Sequence, residues 1–534
     1  MLRTRTLAAV SLVFCCSCSG ADGGGTEVAL GQDRAELVPV LSNGSFEDDN
    51  NGVASPLGWT STGSVNADFT EWGGSAGNWR LSHWSSGAYS VDTKQTITGL
   101  ADGTYTVRVQ ARRSTGNNNA YVDLDCGRDS GRVYVPVSWP SQWLEIVASA
   151  RVRHGTCTIA LHTDGAAGEW TNFDNVRLER GEPRLSVLGA DVSSLNKSED
   201  FGGKYYYEHE HRRHSHKKRG DALDILEDHG ANQVRVRVWV NPADGYHDRD
   251  EMRTMARRAH EQDLKMLVDL HYSDTWADPA HQTKPAAWAS FTTEQLRQAV
   301  YQHTYSVCRA ATVHGKGPDM IQLGNELNAG MLWPDGHTWD PPNWDNLAGF
   351  LKAGYDAVKA CSPRTKVALH LANGGDNGLY RWWFDNITSR GVEFDIIAAS
   401  FYNYWHGGMG DLQWNLNDVS ARYDKDVMVV ETAYPFTLGF DDDQTNIIGL
   451  ESDLVAGYPA TPEGQARNFR DVMSIVRAVP NGRGLGVFYW DATWIAVSGN
   501  GWDPADPASG DTWENQALFD FDGRALPAME EFKP

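Results

Sequence analysis

Positive charge is in short supply along this chain. Forty-seven Lys and Arg stand against 70 Asp and Glu, a formal net charge of −23 over 534 residues. Such a surface repels nucleic acid and anionic lipid, so neither is expected as a partner. Long apolar runs are also missing: no segment reaches the ~20 consecutive apolar residues of a spanning helix, which leaves no membrane span. Cysteine is scarce, and three of the seven, Cys15, Cys16 and Cys18, sit in one N-terminal cluster. Internal repeats are absent, and between residues 38 and 180 no helical period of any length appears.

What is present begins with an address. Arg3 and Arg5 precede an apolar run from Leu7 to Phe14, the pattern of an export signal over residues 1–18, and a Gly-rich stretch over 19–37 reads as a flexible linker. Small Ser17 before Cys18 makes Cys18 a candidate for lipid attachment. The expected location is therefore secreted, or lipid-anchored at the cell surface or outer membrane. Export permits disulfides, and Cys126 with Cys157, both in strand-like stretches, form the expected bridge. Cys308 and Cys361 are expected to stay free.

The chain is long enough for two modules. From 38 to 182, short alternating runs such as Thr104–Gln110 and Cys157–His162 are separated by Asp102-Gly103, Gly116 and Gly155, the pattern of an all-β, jelly-roll-like sandwich. From 186 to 534, strand-like runs alternate with helical stretches; eight such runs predict a (β/α)8 barrel, an α/β architecture. A doubly wound open sheet is the alternative, but no Gly-rich phosphate loop follows the first strand. The cluster His209, His211, His214, His216 lies among Glu, Arg and Lys and reads as a solvated loop or helix.

In such a barrel the chemistry gathers where strands end. The first run delivers Asp191, the second Arg237 and Trp239, the third His271, Asp274 and Trp276, and the fourth Asn325 and Glu326. The sixth delivers Tyr402, Tyr404, Trp405 and His406, the seventh Glu431, and the eighth Trp490 and Trp494. Polar and aromatic clusters of this kind are costly in a core but compatible with one shared rim. Two glutamates on that rim suffice to hydrolyse a glycosidic bond, one protonated to assist the leaving oxygen and one ionised to meet the oxocarbenium-like carbon. Glu326 is assigned as general acid/base, its pKa raised by a partly buried setting, and Glu431 as nucleophile. Arg237 is the candidate to keep Glu431 ionised, with Tyr402 or Tyr404 to orient it. Arg235 is placed on the opposite face of its strand.

The motifs Leu270-His-Tyr-Ser-Asp-Thr-Trp-Ala-Asp-Pro, Gly324-Asn-Glu-Leu-Asn-Ala-Gly-Met-Leu-Trp-Pro-Asp-Gly, Ser400-Phe-Tyr-Asn-Tyr-Trp-His-Gly and Val430-Glu-Thr-Ala-Tyr-Pro resemble those of glycoside hydrolase family 53. The resemblance runs from residue 186 to the end. It implies a retaining endo-β-1,4-galactanase acting on the galactan of type I arabinogalactan and pectin side chains, working as a monomer with no cofactor in catalysis. It supports the two glutamate roles and adds Trp333 to the sugar-binding set. Where the family tends to show Tyr-Trp-Glu-Pro-Ala-Trp, this chain has Tyr489-Trp-Asp-Ala-Thr-Trp494, which leaves subsite detail open. Asp441, Asp443 and Asn446 fall where some members bind structural calcium. Another barrel endoglycanase, on mannan or xylan, and a non-catalytic surface glycan-binding protein are the rival readings.

The first module, opening on Asn43-Gly-Ser-Phe-Glu47 and closing on Asn172-Phe-Asp174-Asn-Val-Arg-Leu, resembles carbohydrate-binding β-sandwiches. That resemblance implies a structural calcium with Glu47 and Asp174 as its candidate ligands, and Asn43 beside them. Among Trp72, Trp79, Trp84, Trp139, Trp143 and Trp170, the pair Trp79 and Trp84 are the expected sugar platforms, because Gly-rich, polar sequence surrounds them.

Overall fold

The computed structural model describes residues 41–116, 119–207, 219–506 and 508–533. The export signal, the linker, Cys18 and the four-histidine cluster lie outside the described residues. Among those described, no helix is long and apolar enough to cross a membrane.

Ten antiparallel strands between Thr60 and Arg180 form two five-stranded sheets. One carries Thr60–Gly63, Tyr89–Thr98, Thr156–Gly165, Asn119–Asp125 and Ser130–Tyr134; the other Asp68–Trp72, Trp79–Trp84, Trp170–Arg180, Gly103–Arg113 and Leu144–Val152. The alternation in Tyr89–Thr98 buries Tyr89, Val91, Thr93, Gln95 and Ile97 and turns the residues between them outward, as period two requires. Leu81, Val107, Leu144, Ile159, Leu161 and Phe173 are fully buried. This is the all-β sandwich that the sequence predicts.

The remainder closes into an eight-stranded parallel barrel: Val187–Asp191, Gln233–Val238, Lys265–Leu270, Met320–Leu323, Lys366–Leu371, Ile396–Ser400, Asp426–Glu431 and Gly484–Tyr489. The eighth strand pairs with the first, Val187 opposite Gly486, which completes the cylinder. Val187, Leu267, Met320, Ile396, Met428 and Phe488 fill one end of its interior, so the barrel is a packed core and not a pore. Gly189 makes room for this layer, since a Cβ there would stand 2.2 Å from the Phe488 ring.

Among the described residues two disulfides are present, Cys126–Cys157 and Cys308–Cys361. The second corrects the expectation of free thiols. Thr293–Ala310 and Trp344–Cys361 are neighbouring packed helices, and each places a cysteine near its C-terminal end. Sequence spacing alone does not reveal that proximity.

The sandwich is seated on the barrel through the helices Met409–Tyr423 and Pro462–Arg477. The Gln413 amide pairs with the Glu145 backbone in both directions, at 2.8 Å each. Gln142 Nε2 donates to Asp411 at 2.6 Å, Arg108 donates to the Ala478 carbonyl at 3.2 Å, and the Arg470 guanidinium lies 4.1 Å over the Tyr134 ring.

Candidate active site

At the C-terminal ends of the barrel strands a cavity of about 710 Å³ opens. Glu326 follows the fourth strand and Glu431 ends the seventh, and both line the cavity while being more than nine-tenths buried. Glu326 stands at φ 46°, ψ 59°, a left-handed conformation that costs a non-glycine residue roughly 1 kcal/mol or more and is characteristic of functional sites.

The floor of the cavity is organised by Arg235. Its Nη2 donates to Glu431 Oε1 and Asp269 Oδ2, both at 2.8 Å, and to Asn325 Oδ1 at 3.0 Å. Its Nη1 donates to Asp191 Oδ2 at 2.8 Å. Arg237 instead pairs with Asp491 at 2.7 Å and lies 4.2 Å beneath the Trp276 ring. The expected partnership of Arg237 with Glu431 is therefore corrected. Residues 235 and 237 are two apart on a strand and share a face, so Arg235 also points inward and is the one that reaches Glu431.

Burial pushes the Glu431 carboxyl up to about 7, opposed chiefly by the Arg235 charge. Tyr402 donates to its other oxygen at 3.2 Å. Glu326 is held well above the usual carboxylate range, first by burial and then by the negative charge of Glu431. Only the hydroxyl of Ser400, 2.6 Å from Oε1, works appreciably against this from a hydrogen bond. Since the guanidinium sits on Glu431, the proton shared by the pair resides on Glu326.

Ser400 is itself held by His370, whose Nε2 is 2.8 Å from the hydroxyl. Around His370 Nδ1 stand two donors, the Glu326 backbone N–H and the Gln322 amide, and one acceptor, Asn325 Oδ1 at 3.0 Å. Burial and the nearby Arg235 charge keep this ring neutral. His271 bonds Asp269 through Nε2 at 3.0 Å, and its Nδ1 accepts from the Trp239 indole and the Ala277 N–H.

Arg237, His271, Trp276, Asn325, Tyr402, Trp405, His406, Trp490 and Trp494 all line the cavity. Five predicted residues do not. Asp191 is buried beneath it on Arg235, and Trp239 stands edge-on behind Trp276. Asp274 accepts from the Asn241 and Ala286 N–H groups and pins a loop. Trp333 donates to the Ala329 carbonyl and packs on Trp339, and Tyr404 stacks on Tyr402 with its hydroxyl on Gln516. Sequence reasoning missed Arg235, Asp269, His370, Ser400, Trp502 and Trp513. The signal for His370 and Ser400 was a polar residue near the exit of an otherwise apolar strand. Trp502 and Trp513 belong to a long loop after the eighth strand, where no spacing rule locates them.

Neither expected calcium set is assembled as predicted. In the sandwich, one oxygen of buried Asp174 accepts from Ser75 N and Oγ and Ala76 N, and Glu47 accepts from Asn78 N and Trp79 N. The Asn43 side chain bridges Asp49 and the Leu57 carbonyl. N–H donors aimed at the carboxylates suit the anchoring of loop 73–79 and do not fit a cation. In the barrel, Asp441 and Asp443 face solvent, and the residues between and beyond them, Asp442 and Asn446, face inward. Both oxygens of Asp442 accept backbone N–H groups, from Gln444 at 2.6 Å and Asp511 at 2.7 Å, so Asp442 anchors the loop. Asn446 Oδ1 and Asp511 Oδ2 are buried acceptors without a partner, and Asp511 is held well above the usual carboxylate range by burial and by Glu514, Asp491 and Asp442. Unpaired oxygens around an excess of negative charge do fit a hard cation. Among the described residues, no group of three or more His, Cys, Asp and Glu side chains is placed to hold a metal. Of the two expected sandwich platforms, Trp84 lines a cavity on that module, while Trp79 packs edge-on against Trp72 outside it.

The chain is 40% identical over 353 residues to an uncharacterized protein in the bgaB 5' region of Niallia circulans, covering 65% of this chain and 93% of that protein. It is 34% identical over 392 residues to an endo-beta-1,4-galactanase of Bacillus subtilis, covering 67% and 88%. The Ignisphaera aggregans GH53 catalytic domain superposes with a TM-score of 0.61 at 41% identity, over 66% of this chain and 96% of that one. The family model that matches residues 187–532 is glycosyl hydrolase family 53, and the chain belongs to that family.

Proposed function

We propose that this protein is a retaining endo-β-1,4-galactanase that cleaves the β-1,4-galactan of type I arabinogalactan and pectin side chains. The observation that carries the reading is a pair of buried glutamates lining one aromatic-walled cavity, with a guanidinium on only one of them. Galactanases among its relatives supply the substrate. Family glycosidases need no cofactor for the reaction.

Glu431, kept ionised by Arg235 and oriented by Tyr402, attacks the anomeric carbon. Glu326 gives its proton to the leaving oxygen, and the resulting glycosyl-enzyme is opened by a water that Glu326 deprotonates. His370 and Ser400 hold Glu326 in place, and the indoles of Trp276 and Trp490 offer faces for galactosyl rings. Export of the chain and carbohydrate binding by the sandwich, over residues 38–182 with Trp84 as a platform, complete the proposal. The test is reducing-sugar release from galactan compared with mannan and xylan. Release from mannan or xylan alone would overturn the substrate, and release from none would overturn the enzyme.

The acid and base roles predict a bell-shaped pH profile. Activity rises as pH climbs and Glu431 ionises, then falls as Glu326 loses its proton. Glu326→Ala should lose about 10²–10⁴-fold on galactan, abolish the alkaline limb, and lose far less on an aryl glycoside whose leaving group needs no proton. Equal losses on both substrates would reverse the assignment.

The residues suited to calcium are Asn446 and Asp511, whose buried oxygens are unpaired, in place of the predicted Asp441 and Asp443. A calcium ion there would supply the positive charge that this buried acidic cluster otherwise lacks. Calcium is expected to raise the melting temperature by a few degrees, in a manner reversed by chelator and absent in Asp511→Asn. An identical response in that variant would place the ion elsewhere.

A further inference from the structure

Six residues, 181–186, separate the last sandwich strand from the first barrel strand, and the docking contacts hold the sandwich against the helices that follow the sixth and seventh barrel strands. Three aromatic features stand near the seam. Trp405, at the cavity wall, is 52% exposed. Trp139, 61% exposed, stands in the sandwich loop before Leu144–Val152. Its indole Nε1 lies 2.8 Å from the point a Cβ on Gly408 would occupy, so the ring rests against the barrel backbone three residues beyond Trp405.

Next to Trp139, Pro140 forms part of the wall of a second cavity, about 470 Å³, on the sandwich. Its lining joins Trp84, 43% exposed, and Trp170 to a hydrogen-bonded polar floor. In that floor Arg112 Nε donates to Asn172 at 3.0 Å, Asn172 donates to Ser82 at 2.9 Å, and Arg80 pairs with Glu71 at 2.8 Å. Arg112 also donates to the Pro140 carbonyl at 2.7 Å and stacks 4.4 Å over Trp143, which ties this cavity to the loop that carries Trp139. Exposed indoles beside fixed polar groups are suited to the two chemistries of a neutral sugar, its apolar ring face and its hydroxyls.

We propose that Trp139 is a distal binding position for the polysaccharide chain being cleaved, which passes from the catalytic cavity over Trp405 and Trp139 into the sandwich cavity as one continuous track. The proposal rests on the galactanase reading. It makes the docked sandwich an extension of the substrate cleft, beyond a module that only keeps the enzyme near its substrate.

Steady-state kinetics of the full chain test it, on long galactan and on a galacto-oligosaccharide too short to leave the barrel cavity. Trp139→Ala should raise KM on long galactan about five- to tenfold, the worth of one aromatic stacking contact. It should leave kcat on that substrate and both constants on the oligosaccharide unchanged, and Trp139→Tyr should restore KM. An unchanged KM on long galactan would overturn the track, and so would equal changes on both substrates, which mark a structural role. Wild-type enzyme inactive on galactan would overturn the galactanase reading first, and with it the track; active wild type with unaffected variants would overturn the track alone.

Discussion

Glu431→Gln is expected to lose turnover on galactan by about 10⁴–10⁶-fold, the scale seen when a covalent nucleophile is removed. The amide retains the shape, its oxygen still accepts from Arg235, and its NH2 group, in place of the oxygen that accepts from Tyr402, donates to that hydroxyl instead, so the fold and substrate binding should persist while the glycosyl-enzyme can no longer form. Unlike Glu326→Ala, this variant gains little from a good leaving group, because the missing atom is the attacking one. Single-turnover measurement with an aryl glycoside separates the cases. A burst of aryl alcohol from Glu431→Gln would show that another group is the nucleophile.

Arg235→Met should fail in two ways at once. The guanidinium is 1% exposed and pairs with Asp191, Asp269 and Glu431. Without it three buried carboxyl groups face one another with no counter-charge, and breaking buried ionic pairs by removing one partner typically costs about 3–5 kcal/mol. Arg235 also lowers the pKa of Glu431, so its loss raises that pKa further. Glu431 then ionises only at higher pH, and the acid limb of the profile moves upward. The expected result is a lower denaturation midpoint together with residual activity shifted toward alkaline pH. If the acid limb stays in place, Arg235 is a structural residue only. Arg237→Met makes the contrast: its guanidinium pairs with Asp491, so the acid limb should not move.

Much of this arrangement could be read in the sequence because barrels sort residues by position along each strand. Apolar runs ending in Asn-Glu, Glu-Thr or Leu-His mark strand exits, and the topology gathers strand exits at one rim whatever their separation in sequence. The residues beneath the rim were harder to read. Arg235 and Asp269 stand in the middle of runs that pass for buried strands, and what makes them tolerable there is their mutual pairing, which only the closed barrel brings about. The error on Arg235 was one of parity, since two residues along a strand return to the same face. The second disulfide was hidden for a different reason. Its loop spans 53 residues, and whether two distant helices meet is a property of the packed fold.

At Glu326 the catalyst and the scaffold have opposed interests. Its backbone occupies a region that glycine enters freely and glutamate enters at a cost, and its acid is kept in the protonated form by the same burial that would favour an apolar side chain. A sequence chosen purely for thermal resilience would therefore discard the glutamate at this position, and with it the proposed general acid. The enzyme is less stable than its own backbone permits at this residue, and the proposed acid role depends on that shortfall.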